Sequence, residues 1–141
     1  MSILYTSTIT ATGGRRGSIR SEDGQLQLTL AIPEELGGPG GATNPEQLFA
    51  AGLAACFANE LIRIACRSGH RFGDGDVTVI AEIGFNPRDA HGLVLNGALV
   101  ITIAGVDQQT AEELVQLADA SCAYTNAIRG NLEFPKRVVA I

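Results

Sequence analysis

Three cysteines, at positions 56, 66 and 122, are the residues of this 141-residue chain best suited to nucleophilic or redox chemistry, and two lie on patterns that turn them inward. Cys56 sits in LFAAGLAACFA (48–58), a run with no charge and no polar side chain but its own thiol, so a helix here would be apolar on every side and is expected to be buried all round at the centre of the core. Cys122 continues a helical stripe of Ala111, Leu114, Val115 and Ala118 four residues further on. A thiol so placed is either inert packing or a nucleophile in a dry pocket. The nucleophile must ionise near neutral pH, and a mid-helix thiol gains little from the positive helix end, so it needs a guanidinium or imidazolium beside it. Arg15, in the turn GGRRG, is the candidate, since its glycine-rich backbone can approach a partner closely, though a solvated turn arginine accounts for it as well. Glu46 fits the first turn of the helix, where the dipole favours an acid.

Other chemistries fit less well. Cys66 and His70 stand at i and i+4 and His91 is available, but there is no paired CxxC or HExxH, so no metal site is expected and Cys66 reads as packing. GGPGGATN lacks the GK[ST] ending of a phosphate loop and the third glycine of a dinucleotide fingerprint. Neither histidine has a third group to orient it for a Cys-His hydrolase. An odd, widely spaced set of cysteines argues against a structural disulfide framework, so any disulfide is expected to be transient. A net charge of −5, with nine Arg, one Lys and no block of like charge, argues against a nucleic-acid partner. The first residues, MSILYTSTIT, carry no signal-peptide pattern, and the apolar run is too short to span a bilayer, so a cytoplasmic protein without a membrane partner is expected. Two inward thiols and an arginine on a close-approach turn point to redox chemistry.

The elements that would position these residues follow from periodicity and punctuation. Residues 4–12 and 25–31 read as strands, with a short strand at 18–21 between the turns GGRRG and EDG. Asn44 can cap the central helix, Pro45 can take its first position, Gln47 can close a capping box, and Gly69 can end it. Val77, Val79, Ala81, Ile83 and Phe85 alternate, and Leu93, Leu95, Leu99, Ile101 and Ile103 answer them across a turn at 87–92, predicting a long hairpin. Asp107 caps the second helix, and 132–141 closes the chain as a strand that Pro135 places at an edge or bulge. The expectation is one α+β domain over 1–141, mostly antiparallel sheet wrapped around two central helices.

Three separated motifs, TATGGRRG (10–17), ELGGPGGATNPEQLFAAGLAACF (35–57) and SCAYTNAIRGN (121–131), resemble the organic hydroperoxide resistance (Ohr) branch of the OsmC/Ohr family. The resemblance runs end to end. It implies an intertwined homodimer and a thiol peroxidase that reduces organic hydroperoxides. By the same resemblance Cys56 matches the peroxidatic cysteine, Cys122 the resolving one, Arg15 the activating arginine and Glu46 its carboxylate partner. The resemblance implies no bound cofactor, and dihydrolipoamide or a lipoylated protein as the reductant. Ala123 departs from the family in replacing the proline that follows the second cysteine, and Cys66 has no matching role. The rival expectation is a non-catalytic redox-sensing or small-molecule-binding module on the same scaffold.

Overall fold

The computed structural model describes residues 1–88, 92–132 and 134–141. Its elements, in order, are β1 (Ile9–Thr12), β2 (Ser18–Ser21), β3 (Gln27–Thr29), α1 (Pro45–Arg67), β4 (Val77–Arg88), β5 (Gly92–Ile103), α2 (Gln108–Ser121), α3 (Ala123–Ile128) and β6 (Lys136–Ala140). This is the expected α+β class, with two sheets and, among the described residues, three α-helices. The chain forms two compact units, Met1–Leu48 and Phe49–Ile141.

In the first unit β1, β2 and β3 form an antiparallel meander, with Thr12 opposite Ser18 and Ser18 opposite Thr29. The strand expected at 4–12 is shorter because β2 runs out at Ser21, opposite Ile9, and turns away there. Ile3, Leu4 and Tyr5 consequently stay exposed. Ile19, Leu30 and Ala31 are this unit's buried apolar residues.

The central helix begins as the capping residues predict, with the Gln47 N–H donating to Asn44 Oδ1 at 2.9 Å. The reciprocal contact differs: Gln47 Oε1 accepts from the Thr43 hydroxyl at 2.7 Å. At the other end the His70 N–H bonds back to the Ala65 carbonyl at 2.9 Å, wrapping the chain around Gly69. The expectation of a helix buried on all sides needs correction. Only Leu53, Phe57, Leu61 and Ala65, one stripe at a spacing of four, are buried, while Ala51, Ala55 and Ile62 are exposed. By length and mean hydropathy (1.5) α1 could cross a membrane, yet its buried stripe belongs to the core of the second unit.

That core joins the α1 stripe to Leu99, Ile101 and Ile103 of β5 and to Ala111, Leu114, Val115 and Ala118 of α2. The predicted hairpin has the register its alternation demands, with Val77 opposite Ile103, Val79 opposite Ile101, Ala81 opposite Leu99 and Phe85 opposite Leu95. Gly97, opposite Ile83, leaves room for Phe134, since a Cβ there would stand 2.3 Å from the Phe134 ring. The Asp107 side chain caps α2 by accepting from the Thr110 N–H at 2.8 Å. β6 is an edge strand, as Pro135 foretells, but it runs parallel to β5, and it begins only after Pro135 has accepted the Leu99 N–H. α3, six residues long, was not expected.

Candidate active site

The second unit brings Cys56 and Cys122 together. Cys56 sits one position before the buried Phe57 on α1 and is half-buried; Cys122 is 1% exposed. Cys122 is not on α2 itself but at its junction with α3. Its N–H ends α2 on the Ala118 carbonyl at 2.8 Å, and its own carbonyl accepts from the Asn126 N–H at 2.9 Å. The position directs its thiol at Cys56, with 3.8 Å between the sulfurs. A disulfide needs about 2.05 Å, so a small approach of one sulfur to the other would close the bond. Gly52, one turn before Cys56, lets the Tyr124 ring lie against α1; a Cβ there would come within 3.1 Å of it. Burial first, and the neighbouring Cys122 second, hold the Cys56 thiol above the ordinary cysteine pKa. The Tyr124 backbone N–H pulls it down, and the charge of Glu60 adds to the rise.

The first unit brings Arg15 and Glu46 together. Gly13 enters the turn at φ 78, a left-handed conformation that costs glycine little, and Gly14–Arg16 form a single 3-10 turn. Gly17 closes it so tightly that a Cβ would fall 1.7 Å from the Thr12 carbonyl oxygen. Arg15 therefore leaves a rigid corner and grips Glu46 with both prongs of its guanidinium, Nη1 to Oε2 at 2.8 Å and Nη2 to Oε1 at 2.6 Å. The Arg15 hydrogen bonds hold the Glu46 carboxyl below the ordinary carboxylate range, and the same bonds raise Arg15. The pair is intact above the usual glutamate pKa and is lost only as pH falls through the depressed value.

Cys66 is exposed, which corrects its reading as a packing residue: it falls on the side of α1 away from the buried stripe. His70 stacks on Phe72, with ring centroids 6.4 Å apart, and His91 lies outside the described residues. Among the described residues no three His, Cys, Asp or Glu side chains gather closely enough to hold a metal. Two residues that sequence reasoning passed over stand beside the thiols: Glu60, four residues after Cys56, and Ser121, which donates to it. Spacing alone gives no sign of this contact, because its partners are 61 residues apart.

Two sheets, a thiol pair between the long helices and an arginine–glutamate fork define a class. The family model for OsmC-like proteins matches residues 38–135. The chain belongs to the OsmC-like family, in its Ohr branch. It is 41% identical over 133 residues to the organic hydroperoxide resistance protein of Xanthomonas axonopodis pv. citri, covering 93% of this chain and 92% of that one. It is 36% identical over 133 residues to the organic hydroperoxide resistance protein OhrB of Bacillus subtilis, covering 92% and 94%. The crystal structure of an organic hydroperoxide resistance protein from Legionella pneumophila superimposes with a TM-score of 0.93 at 44% identity, covering 98% of this chain and 99% of that one.

Proposed function

We propose that this protein is a cytoplasmic cysteine-based peroxidase that reduces organic hydroperoxides to alcohols. The observation that carries the reading is the pair of reduced thiols 3.8 Å apart, one of them almost wholly buried, in a chain whose relatives are named for organic hydroperoxide resistance. The Cys56 thiolate attacks the distal peroxide oxygen, the O–O bond breaks and the alkoxide leaves, taking a proton to become the alcohol. The Cys122 thiolate then attacks the sulfur of the Cys56 sulfenic acid and expels hydroxide, which is protonated to water, leaving a disulfide. A dithiol of the dihydrolipoamide type, free or on a lipoylated protein, returns both cysteines to thiols. Half-buried Phe49 and Cys56 pack on the same apolar core as Cys122, and apolar surroundings suit organic over hydrogen peroxide.

The site is completed by a second copy of the chain. Burial pushes Cys56 upward, so a peroxidatic thiolate requires a nearby positive charge. Glu46 and Cys56 are ten residues apart on an unbroken helix, roughly 15 Å along its axis at about 1.5 Å per residue. An Arg15 held by Glu46 thus serves the partner's Cys56, and the exposed Ala51, Ala55 and Ile62 give α1 a face on which a second copy can pack closely. Replacing Arg15 by Ala is expected to raise the Cys56 pKa further. Alkylation rate against pH should show the shift, with Arg16→Ala as the control that leaves the titration in place.

The direct test supplies an alkyl hydroperoxide with dihydrolipoamide as the only reductant. Sustained consumption over many turnovers is the expected result. Oxidation that stops after one equivalent, with no turnover, is the behaviour of a redox sensor and would overturn the peroxidase reading.

A further inference from the structure

Beside the thiol pair lies a polar tie between α1 and the end of α2 that the reaction as described does not use. Glu60 is one turn beyond Cys56 on α1, and Ser121 is the last residue of α2, immediately before Cys122. The Ser121 hydroxyl donates to Glu60 Oε1. Arg63 fixes the same carboxylate from the other side, Nε to Oε2 at 2.8 Å and Nη2 to Oε1 at 2.6 Å. These bonds, that of Arg63 first and that of Ser121 second, pull the Glu60 carboxyl down to about 2, so it is an ionised acceptor at every pH at which a thiol reacts.

A carboxylate in this place works against the nucleophile, since its charge adds to the rise in the Cys56 pKa. Its place next to a thiol that must ionise is explained if it serves geometry. The Cys122 backbone ends one helix and starts the next, so the position from which its sulfur reaches Cys56 moves with the end of α2. Beyond the apolar packing of the core, the end of α2 is tied to the helix bearing Cys56 by the bond from Ser121 to Glu60, one residue from one thiol and one turn from the other.

We infer that Glu60 and Ser121, with Arg63 holding the carboxylate, are positioning residues that set the separation of Cys56 and Cys122 and hence the rate at which the two thiols close to a disulfide. The inference rests on the reading that these two thiols are the redox pair, but its test does not require peroxide. In a Cys66→Ser background, the reduced protein is mixed with an aromatic disulfide, dithiobis(nitrobenzoate). One protein thiolate attacks the reagent, forming a mixed disulfide and releasing one nitrothiobenzoate. The second protein thiolate attacks the protein sulfur of that mixed disulfide, the Cys56–Cys122 bond forms, and the second nitrothiobenzoate leaves with the electron pair. The second release is independent of reagent concentration and reads closure alone.

Ser121→Ala is expected to slow this second phase about tenfold, the effect of losing one hydrogen bond to a charged group. Ser121→Thr, which keeps the hydroxyl, should close nearly as fast as the parent. Glu60→Ala removes the same bond and should also slow closure, though by less than Ser121→Ala because losing the charge eases ionisation of Cys56, and it decides the matter if Ser121→Ala proves unfolded by circular dichroism. Closure at the parental rate in the folded alanine variants, or a threonine variant as slow as alanine, would overturn the inference. A parent that closes in this assay yet consumes no hydroperoxide would instead remove the peroxidase reading and leave the tie standing.

Discussion

With Cys56 replaced by Ser, hydroperoxide consumption is expected to fall at least about a thousandfold, because a hydroxyl at neutral pH supplies almost no anionic nucleophile. Replacing Cys122 by Ser should behave differently. The first equivalent of peroxide is still reduced, since the attacking sulfur is untouched, but the sulfenic acid now faces no thiol at 3.8 Å. Excess peroxide should then carry Cys56 to sulfinic acid, a gain of two oxygens on one peptide that ordinary dithiols do not reverse. Intact mass against time distinguishes the two variants. A Cys122→Ser protein that resists overoxidation would show that Cys122 is packing rather than the resolving partner.

The second large effect concerns the sharing of the site. Glu46→Ala and Cys56→Ser proteins should each be nearly inactive, the first because Arg15 loses the carboxylate that aims it, the second because it lacks the nucleophile. Unfolded together and refolded, they should form heterodimers in which the intact Cys56 of one chain meets the intact Arg15–Glu46 fork of the other. Such mixtures should recover roughly a quarter of the activity per chain, since random pairing makes half the dimers mixed and each has one good site. Heterodimers as inactive as their parents would place the whole site within one chain.

Much of this arrangement was legible in the residues because it follows from local rules. The hairpin alternation gave its register, the capping residues gave both ends of α1, and helical spacing turned Cys122 inward. The failures share a physical cause, that periodicity says which residues are apolar but not what covers them. The all-apolar run of α1 implied burial on every side, yet the chain alone buries one stripe. Six residues, AYTNAI, are too few to show a helical period, so α3 went unseen and Cys122 was assigned to the face of α2 rather than to the corner between two helices. β6 was recognisable as an edge strand, but its parallel direction depends on where the crossover through α2 and α3 delivers the chain. The Ser121–Glu60 contact left no mark at all, since a hydrogen bond across 61 residues follows from the packing of α1 on α2 and not from either segment.

The central claim is that Cys56 and Cys122 are one redox couple, and it is tested most directly by treating the fully reduced protein with one equivalent of an organic hydroperoxide and mapping its peptides without reduction. The account predicts a single new species joining the Cys56 and Cys122 peptides, with Cys66 still carrying a free thiol. A product linking Cys66 to either cysteine, or three free thiols after the peroxide is consumed, would contradict it.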